Sequence, residues 1–452
     1  MSGEATALEP DRAEWPSAFP AWWAVAVFTL CAVLSYTDRQ ILSLLVDPIR
    51  ADLHITDTQI SVLQGLAFAL IYSIAGLPLG RLADMVPRRA VIICGVLVWT
   101  IATIACGLSH SFNELFVARV FVGVGEAALA PAAMSMITDL FAPHRRGGAI
   151  GVFVMGMVVG GGVALGIGGL LLQAAQSGLM RGLPLLGALT PWRASLLLLG
   201  APGIGLALLL LTVREPARQH RGGGTTPQRY SLHEVGRELR DRSGVVFPLL
   251  GAMAFMSVGD FSLLNWVPSL LSRDYHLSFA EIGGTLGGLA IGMGGLGTVL
   301  GGLISDRAAR SGGSRMRIIA AALSAMLALP LILIGATSNA LEIFVLFAWW
   351  NCFSSAAGTI GITAIQETVP NEMRGLTVSM VSFGNILGGL SLGTMATAIV
   401  TDSVFHDPHR IAASLSLVVG PAAILGCLLF WRASLGAAPR RRAVPVTTAG
   451  SA

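Results

Sequence analysis

The sequence predicts an all-α membrane protein whose twelve transmembrane helices form two six-helix pseudo-repeats. Three observations carry that reading. Of 452 residues, 54% are hydrophobic and only 12% charged, about half the roughly 25% charge of an ordinary soluble domain. Apolar runs of about 20 residues, enough to cross a bilayer, recur along the chain. Short sequence features also return in the same order at a common offset, as an internal duplication leaves them.

The apolar runs place spans at 21–46, 58–80, 90–109, 113–138, 147–172, 192–213, 245–271, 280–304, 316–336, 340–364, 376–400 and 411–432. An even number puts both termini on one side. All 29 basic residues are arginine, 22 on the side of the termini and 5 on the other, with Arg39 and Arg119 inside spans. Basic residues near span ends are retained on the cytoplasmic face, so both termini are expected in the cytoplasm and the chain in the cell (inner) membrane as a multi-pass protein. The first 20 residues carry Glu4, Glu9, Asp11 and Glu14 against one arginine, the wrong charge for a cleavable signal peptide.

The segments that follow are a cytoplasmic tail (1–20), a first six-helix bundle (21–213), a cytoplasmic linker (214–243), a second bundle (244–432) and a cytoplasmic tail (433–452) containing Arg440, Arg441 and Arg442. The linker holds seven arginines and a flexible glycine run at 222–224. Ser231 to Glu234 then has capping-box spacing. Leu232, Val235 and Leu239 share one helical face, which predicts a short amphipathic helix lying on the membrane surface.

The duplication is read from two matches. GRLADMVPRR (Gly80 to Arg89) closes the second span and GLISDRAAR (Gly302 to Arg310) the eighth, and the interval from Asp84 to Asp306 gives the offset between the halves. PHRRG (Pro143 to Gly147) after the fourth span is echoed by PNEMRG (Pro370 to Gly375) after the tenth, at nearly that offset. Glycine is concentrated at 156–169, with seven, and at 283–302, with ten. Both runs lie within apolar spans and follow no strand, so they read as close helix–helix contacts rather than phosphate loops.

Composition narrows the function. Cys31, Cys94, Cys106, Cys352 and Cys427 all sit in apolar stretches, without metal-ligand spacing. There is no Walker-type nucleotide loop, no H-E-x-x-H and no nucleophile elbow. No metal, cofactor or enzymatic activity is expected, and no nucleic-acid partner. A secondary transporter is the leading class, and a transporter-fold sensor without a separate output domain is the less favoured one.

Charges inside spans are costly, about 2.5–3.5 kcal/mol each on insertion scales, so they should face the bundle interior or a cavity. The first span carries Asp38 and Arg39, the fourth Arg119 and Glu126, and the seventh Asp260. At about 1.5 Å per residue, Asp38 lies about 12 Å from the outer end of its span and Arg119 about 9 Å from the outer end of its own, so an ion pair between them is expected. Glu126, seven residues on from Arg119, points the same way but about 10 Å deeper, apart from that pair. Asp260 follows Asp38 at the same offset as the loop aspartates, and no charged counterpart of Arg119 or Glu126 appears in the tenth span.

These residues resemble the major facilitator superfamily along essentially the whole chain. Gly80, Leu82, Ala83, Asp84, Arg88 and Arg89 match its motif between the second and third spans, while Met85 and Pro87 depart from it. Trp192-Arg193 and Arg214-Glu215-Pro216 are also familiar there. Within the superfamily the first half is similar to the Spinster group of lipid transporters, through Tyr36-Thr37-Asp38-Arg39, RVFVGVGEAALAP (Arg119 to Pro131) and Asp139-Leu140-Phe141 followed by Arg145-Arg146.

The resemblance implies alternating access, a central cavity lined by spans 1, 4, 7 and 10, and a lysolipid or sphingoid-lipid substrate, with small organic anions (aromatic or sugar acids) or drugs as the alternative. It implies proton coupling in a monomer. It also implies a conformational latch of the outward-open state at Gly80, Asp84, Arg88 and Arg89 and, in the second half, Asp306, Arg307 and Arg310. Glu126, whose charged form burial disfavours, is the first candidate for the coupling residue, and Asp38 the second. Arg119 and Arg39 suit a carboxylate or phosphate headgroup, so headgroup binding and protonation of Asp38 would compete for one arginine. Asp260, Tyr36, Asn265 and Asn351 are further cavity candidates, the last three and Gln64 being expected more often in helix–helix hydrogen bonds. Trp266, Trp349 and Trp350 read equally as packing or as interfacial anchors.

Overall fold

The structure, a computed structural model, describes residues 15–179, 186–218, 232–370 and 373–437. Residues 1–14, the glycine run at 222–224, Ser231, the side chain of Leu232, Asn371, Glu372 and the arginines at 440–442 lie outside the described residues. Among the described residues there is no strand. Among the same residues, eleven helices are long and apolar enough to cross a membrane. One of them, Phe279–Ala336, is 58 residues long and is interrupted at Gly312 and Gly313, where φ of Gly313 is +65°. That left-handed backbone favours glycine and divides the helix into two spans, giving the predicted twelve.

Span 1 is Ala18–Leu53, span 2 Asp57–Met85, span 3 Arg88–Leu108, span 4 Phe112–Leu140, span 5 Arg145–Gln176 and span 6 Pro191–Leu210. After the linker come span 7, Ser243–Tyr275, spans 8 and 9 within Phe279–Ala336, span 10, Ala340–Thr368, span 11, Arg374–Phe405, and span 12, Pro408–Gly436. Spans 2, 4, 8 and 10 all begin on the face opposite the termini, and each is started by the same local device. Thr56, Ser111, Ser278 and Asn339 accept from the backbone N–H of Gln59, Glu114, Glu281 and Glu342. Capping satisfies helix donors that no carbonyl can reach, and Thr56 and Ser278 stand at the same offset as the paired aspartates.

The glycine runs close the seam between the halves. A Cβ on Gly162 would meet Ile291, and one on Gly287 the carbonyl of Gly162; Gly169 lies on Phe279 and Gly283 on Leu165. Spans 5 and 8 therefore touch backbone to backbone, as small residues permit in lipid. Toward the terminal face they part. Gly147, Gly148 and Gly151 of span 5 have nothing within 4 Å of a Cβ position, while Gly297 and Gly301 of span 8 turn onto Cys352 and Ala356 of span 10.

The short helix Leu232–Asp241 precedes span 7. Its Val235 and Leu239 rest on Val246, Val369 and Met373 at the end of the second bundle. Those two apolar side chains meet protein rather than the lipid surface expected from the sequence, because the bundle offers them a matching apolar patch.

Candidate functional site

The intramembrane charges of the first half converge, with a pairing different from the one that depth alone predicts. Arg39 Nη2 donates to Glu126 Oε2 at 2.8 Å, and Ser35 Oγ donates to the same oxygen at 2.8 Å. Asp38 Oδ2 accepts a hydrogen bond from Thr103 Oγ1 of span 3. Among the described residues, no ion pair joins Asp38 to Arg119. The correction is one of azimuth: adjacent residues point about 100° apart on a helix, so Asp38 faces span 3 while Arg39 faces span 4. Glu126 is accordingly not isolated.

Aromatic rings enclose the Arg39 guanidinium, with Phe68 at 4.2 Å, Tyr36 at 4.6 Å and Tyr72 at 5.2 Å from ring centroid to carbon. Phe68 also lies 5.7 Å from Arg119. Cation–π contact of this kind holds a cation in a place with little water. Asp38, Arg39, Arg119 and Glu126 are 2%, 8%, 1% and 1% exposed, so the cluster is closed inside the first bundle. Its hydrogen bonding is incomplete: Asp38 Oδ1, Arg39 Nε, Arg119 Nε and Nη2 and Glu126 Oε1 are buried without a partner. Buried polar atoms are ordinarily satisfied, so this concentration marks a place for water or a ligand.

The second half differs. Asp260 Oδ1 accepts from Trp350 Nε1 at 2.7 Å and from Ser354 Oγ at 2.6 Å, both on span 10. Trp350 is thus a ligand of the carboxylate rather than an interfacial anchor. Asp260 is exposed, and Leu264, one turn away on the same face, accepts from Gln40 of span 1 at 3.3 Å. That face therefore looks across the gap at the first half. Asn265 donates to Phe261 O and Thr394 Oγ1, and Asn351 to Phe347 O. These are bonds within and between helices.

The opposite face is tied shut across the halves. Arg273 at the end of span 7 donates to Asp47 at 2.6 Å and to both oxygens of Asp57 at 2.7 and 2.8 Å. Thr58 donates through its backbone and its hydroxyl to Asp402, each at 2.7 Å. The sequence reading missed this network, although a signal existed: arginines on the face that carries few of them. All four described ones, Arg50, Arg193, Arg273 and Arg410, have carboxylate partners.

On the terminal face, the following ion pairs among the described residues lie within one half. Arg88 pairs with Asp139 and with Glu215, whose carboxylate also accepts from the backbone N–H of Arg88 and Arg89. Arg317 pairs with Glu367 in the second half. Arg218 donates to backbone carbonyls at Ala83, Asp84 and Val86. Asp84, Asp306 and Arg307 are exposed, and a Cβ on Gly80 would meet Pro131 only at an ordinary 3.7 Å. Of the expected latch residues, Asp84, Asp306 and Arg307 thus lie exposed on the terminal face, whereas Arg88 is buried in its ion pairs.

The chain matches the model of the Major Facilitator Superfamily over residues 28–393. It is 30% identical over 445 residues to an MFS-type efflux pump of Mycolicibacterium smegmatis, covering 96% of this chain and 97% of the relative. A probable L-galactonate transporter of Escherichia coli is 24% identical over 422 residues, covering 90% and 88% of the two chains. The crystal structure of a bacterial homolog to the human lysosomal transporter Spinster, inward-facing and unoccupied, superposes with a TM-score of 0.80 at 26% identity, covering 93% of this chain and 98% of that one. The Spinster likeness of the first half thus extends to the architecture. With twelve spans in two repeats and the family model matched over most of its length, the chain belongs to the Major Facilitator Superfamily of transporters.

Proposed function

We propose that the protein is a proton-coupled secondary carrier of an anionic or amphiphilic substrate, with its terminal face cytoplasmic and the structure open to that side. The Arg39–Glu126 pair carries this reading. A buried ion pair is a poor source of stability, because desolvating two charges offsets most of their attraction. Its value lies in exchange. A substrate carboxylate or phosphate that draws Arg39 away leaves Glu126 charged in apolar surroundings, and the glutamate then takes a proton. Equally, a proton on Glu126 frees Arg39 for the anion. Proton and substrate therefore favour each other's binding, as linkage requires. Asp38, hydrogen-bonded by Thr103 and within the field of Arg119 without a direct ion pair, is the second coupling group.

A lysolipid or sphingoid lipid is the leading substrate class, on the likeness to the Spinster homolog. A sugar acid is the second reading, supported by full-length similarity to the probable L-galactonate transporter. A phosphate-bearing lysolipid or sphingoid lipid and a sugar acid both present an anion to Arg39 and Arg119. The test is uptake into proteoliposomes at a series of pH values, with labelled lysophosphatidylglycerol and labelled galactonate as alternative probes. Glu126→Gln should abolish the dependence of uptake on the proton gradient while leaving facilitated exchange of the probe. Unchanged gradient dependence in Glu126→Gln would exclude the coupling scheme.

A further inference from the structure

Gln64 is a buried polar side chain of the first bundle that the charge cluster does not use. It is 2% exposed, yet neither Oε1 nor Nε2 has a hydrogen-bond partner. A helix–helix hydrogen bond, the ordinary role of such an amide, is therefore not what holds it. Leaving a buried amide unpaired costs on the order of 1–3 kcal/mol, so the position needs a partner from outside the chain.

Its placement says where that partner sits. Gln64 lies in Val62–Leu66, a widened π-type turn of span 2 of a kind that often marks functional sites. That turn packs against span 4 on one side and, through Gly65, against the backbone of Leu390 and Ser391 of span 11 on the other. Phe68 follows Gln64 by four residues, slightly less than one turn of the widened helix, and so looks nearly the same way. Phe68 is the ring that stacks on Arg39 and neighbours Arg119, and its carbonyl faces Gly123 of span 4. Arg119 precedes Gly123 by four residues on a span running in the same direction as span 2. Gln64 and Arg119 are therefore level, one turn beyond Phe68. Both are buried and both present unused hydrogen-bonding atoms.

We propose that Gln64 and Arg119 form one subsite for a hydroxylated anion, Arg119 taking the anionic group and Gln64 an adjacent hydroxyl. A primary amide both donates and accepts, which matches a hydroxyl and gives nothing to a bare alkyl chain. The subsite rests on the anion-carrier reading above and narrows it to substrates whose acid group stands beside a hydroxyl. A lysophospholipid glycerol and a sugar acid both have that chemistry.

The test compares binding of hydroxylated and hydroxyl-free probes to the purified full-length protein in detergent by calorimetry. Galactonate is paired with hexanoate, and lysophosphatidylglycerol with dodecyl phosphate, so that the two arms separate the small acid from the lipid. Gln64→Leu should weaken the hydroxylated member of the responding pair about ten- to a hundredfold and leave its hydroxyl-free partner within about twofold. Gln64→Asn, which keeps the amide, should recover part of the loss.

Equal weakening of both members, or of neither, would overturn the proposal. So would failure of the native protein to bind either hydroxylated probe, even where gradient-driven uptake of another anion upholds the carrier reading. Thermal unfolding of the unliganded Gln64→Leu variant supplies an independent check. It should melt no lower than the native protein, since the amide has no partner to lose, and a clear drop would restore Gln64 to a structural role.

Discussion

Asp38 and Asp260 occupy the same place in the duplicated halves, and their surroundings have diverged. Around Asp38 the first bundle encloses two arginines and a second carboxylate, all at most 8% exposed. Around Asp260 the second bundle supplies an indole N–H and a hydroxyl, both on one oxygen, and leaves the residue exposed to the gap. A carboxylate that reaches the gap needs no counter-charge, whereas enclosed ones must be paired or protonated. The duplicated scaffold thus carries two kinds of chemistry. In the proposed carrier, the first half stores exchangeable charge and the second presents a neutral-donor wall against which it works.

The largest effect expected from breaking this contrast is at Arg39. Removing one member of a buried pair strands the other, at a cost of about 3–5 kcal/mol. Arg39→Gln should therefore lower the thermal stability of the detergent-solubilised protein sharply and abolish transport. The double variant Arg39→Gln/Glu126→Gln should regain most of the stability and none of the proton coupling. A single variant as stable as the native protein would show that Glu126 is already neutral in the resting state, and the exchange mechanism would fail.

A second comparison sets the two aspartates side by side. Asp38→Asn should reduce gradient-driven uptake about tenfold or more, since it neutralises a group of the charge store. Asp260→Asn should stay within about threefold, because an amide oxygen can accept from Trp350 and Ser354 as the carboxylate does. Equal losses would mean that the second half shares in the ionic work, contrary to the contrast drawn here.

What the sequence made legible follows from which forces act along it. Each span needs its own apolar run, so the twelve were countable, and the break at Gly312–Gly313 falls between the expected eighth and ninth. The caps at Thr56, Ser111, Ser278 and Asn339 went unread, although a Gln or Glu three residues on stands beside each in the sequence. The residues of the charge cluster could be named because ionisable groups are rare in spans. Their partners could not. Rise per residue fixed the depth of Asp38 and Arg119 correctly enough to make a pair reasonable, but rotation about each helix decides which neighbour a side chain meets. Thr103, Ser35, Phe68 and Ser354 are ordinary members of apolar runs and announce nothing. Arg273 was visible as an arginine on the arginine-poor face, yet only the folded chain brings Asp47 and Asp57 around it.

The smallest expected difference is also the most specific, because it concerns single hydroxyls that hold the equivalent aspartates. Thr103 is the one hydrogen-bond donor to Asp38 among the described residues, whereas Ser354 shares Asp260 Oδ1 with Trp350. Thr103→Val keeps the shape and removes the donor, leaving an enclosed carboxylate with no hydrogen bond. Ser354→Ala leaves the indole in place and the carboxylate open to the gap. A hydrogen bond to a charged group contributes about 1.5–3 kcal/mol, so Thr103→Val should alter the pH profile of uptake and slow it several-fold. Ser354→Ala should leave both near native. Measured together in one proteoliposome preparation, the pair separates enclosure from hydrogen-bond number as the cause. If the serine variant slows transport as much as the valine one, the second half holds its aspartate as tightly as the first, and exposure of Asp260 to the gap does not substitute for a partner.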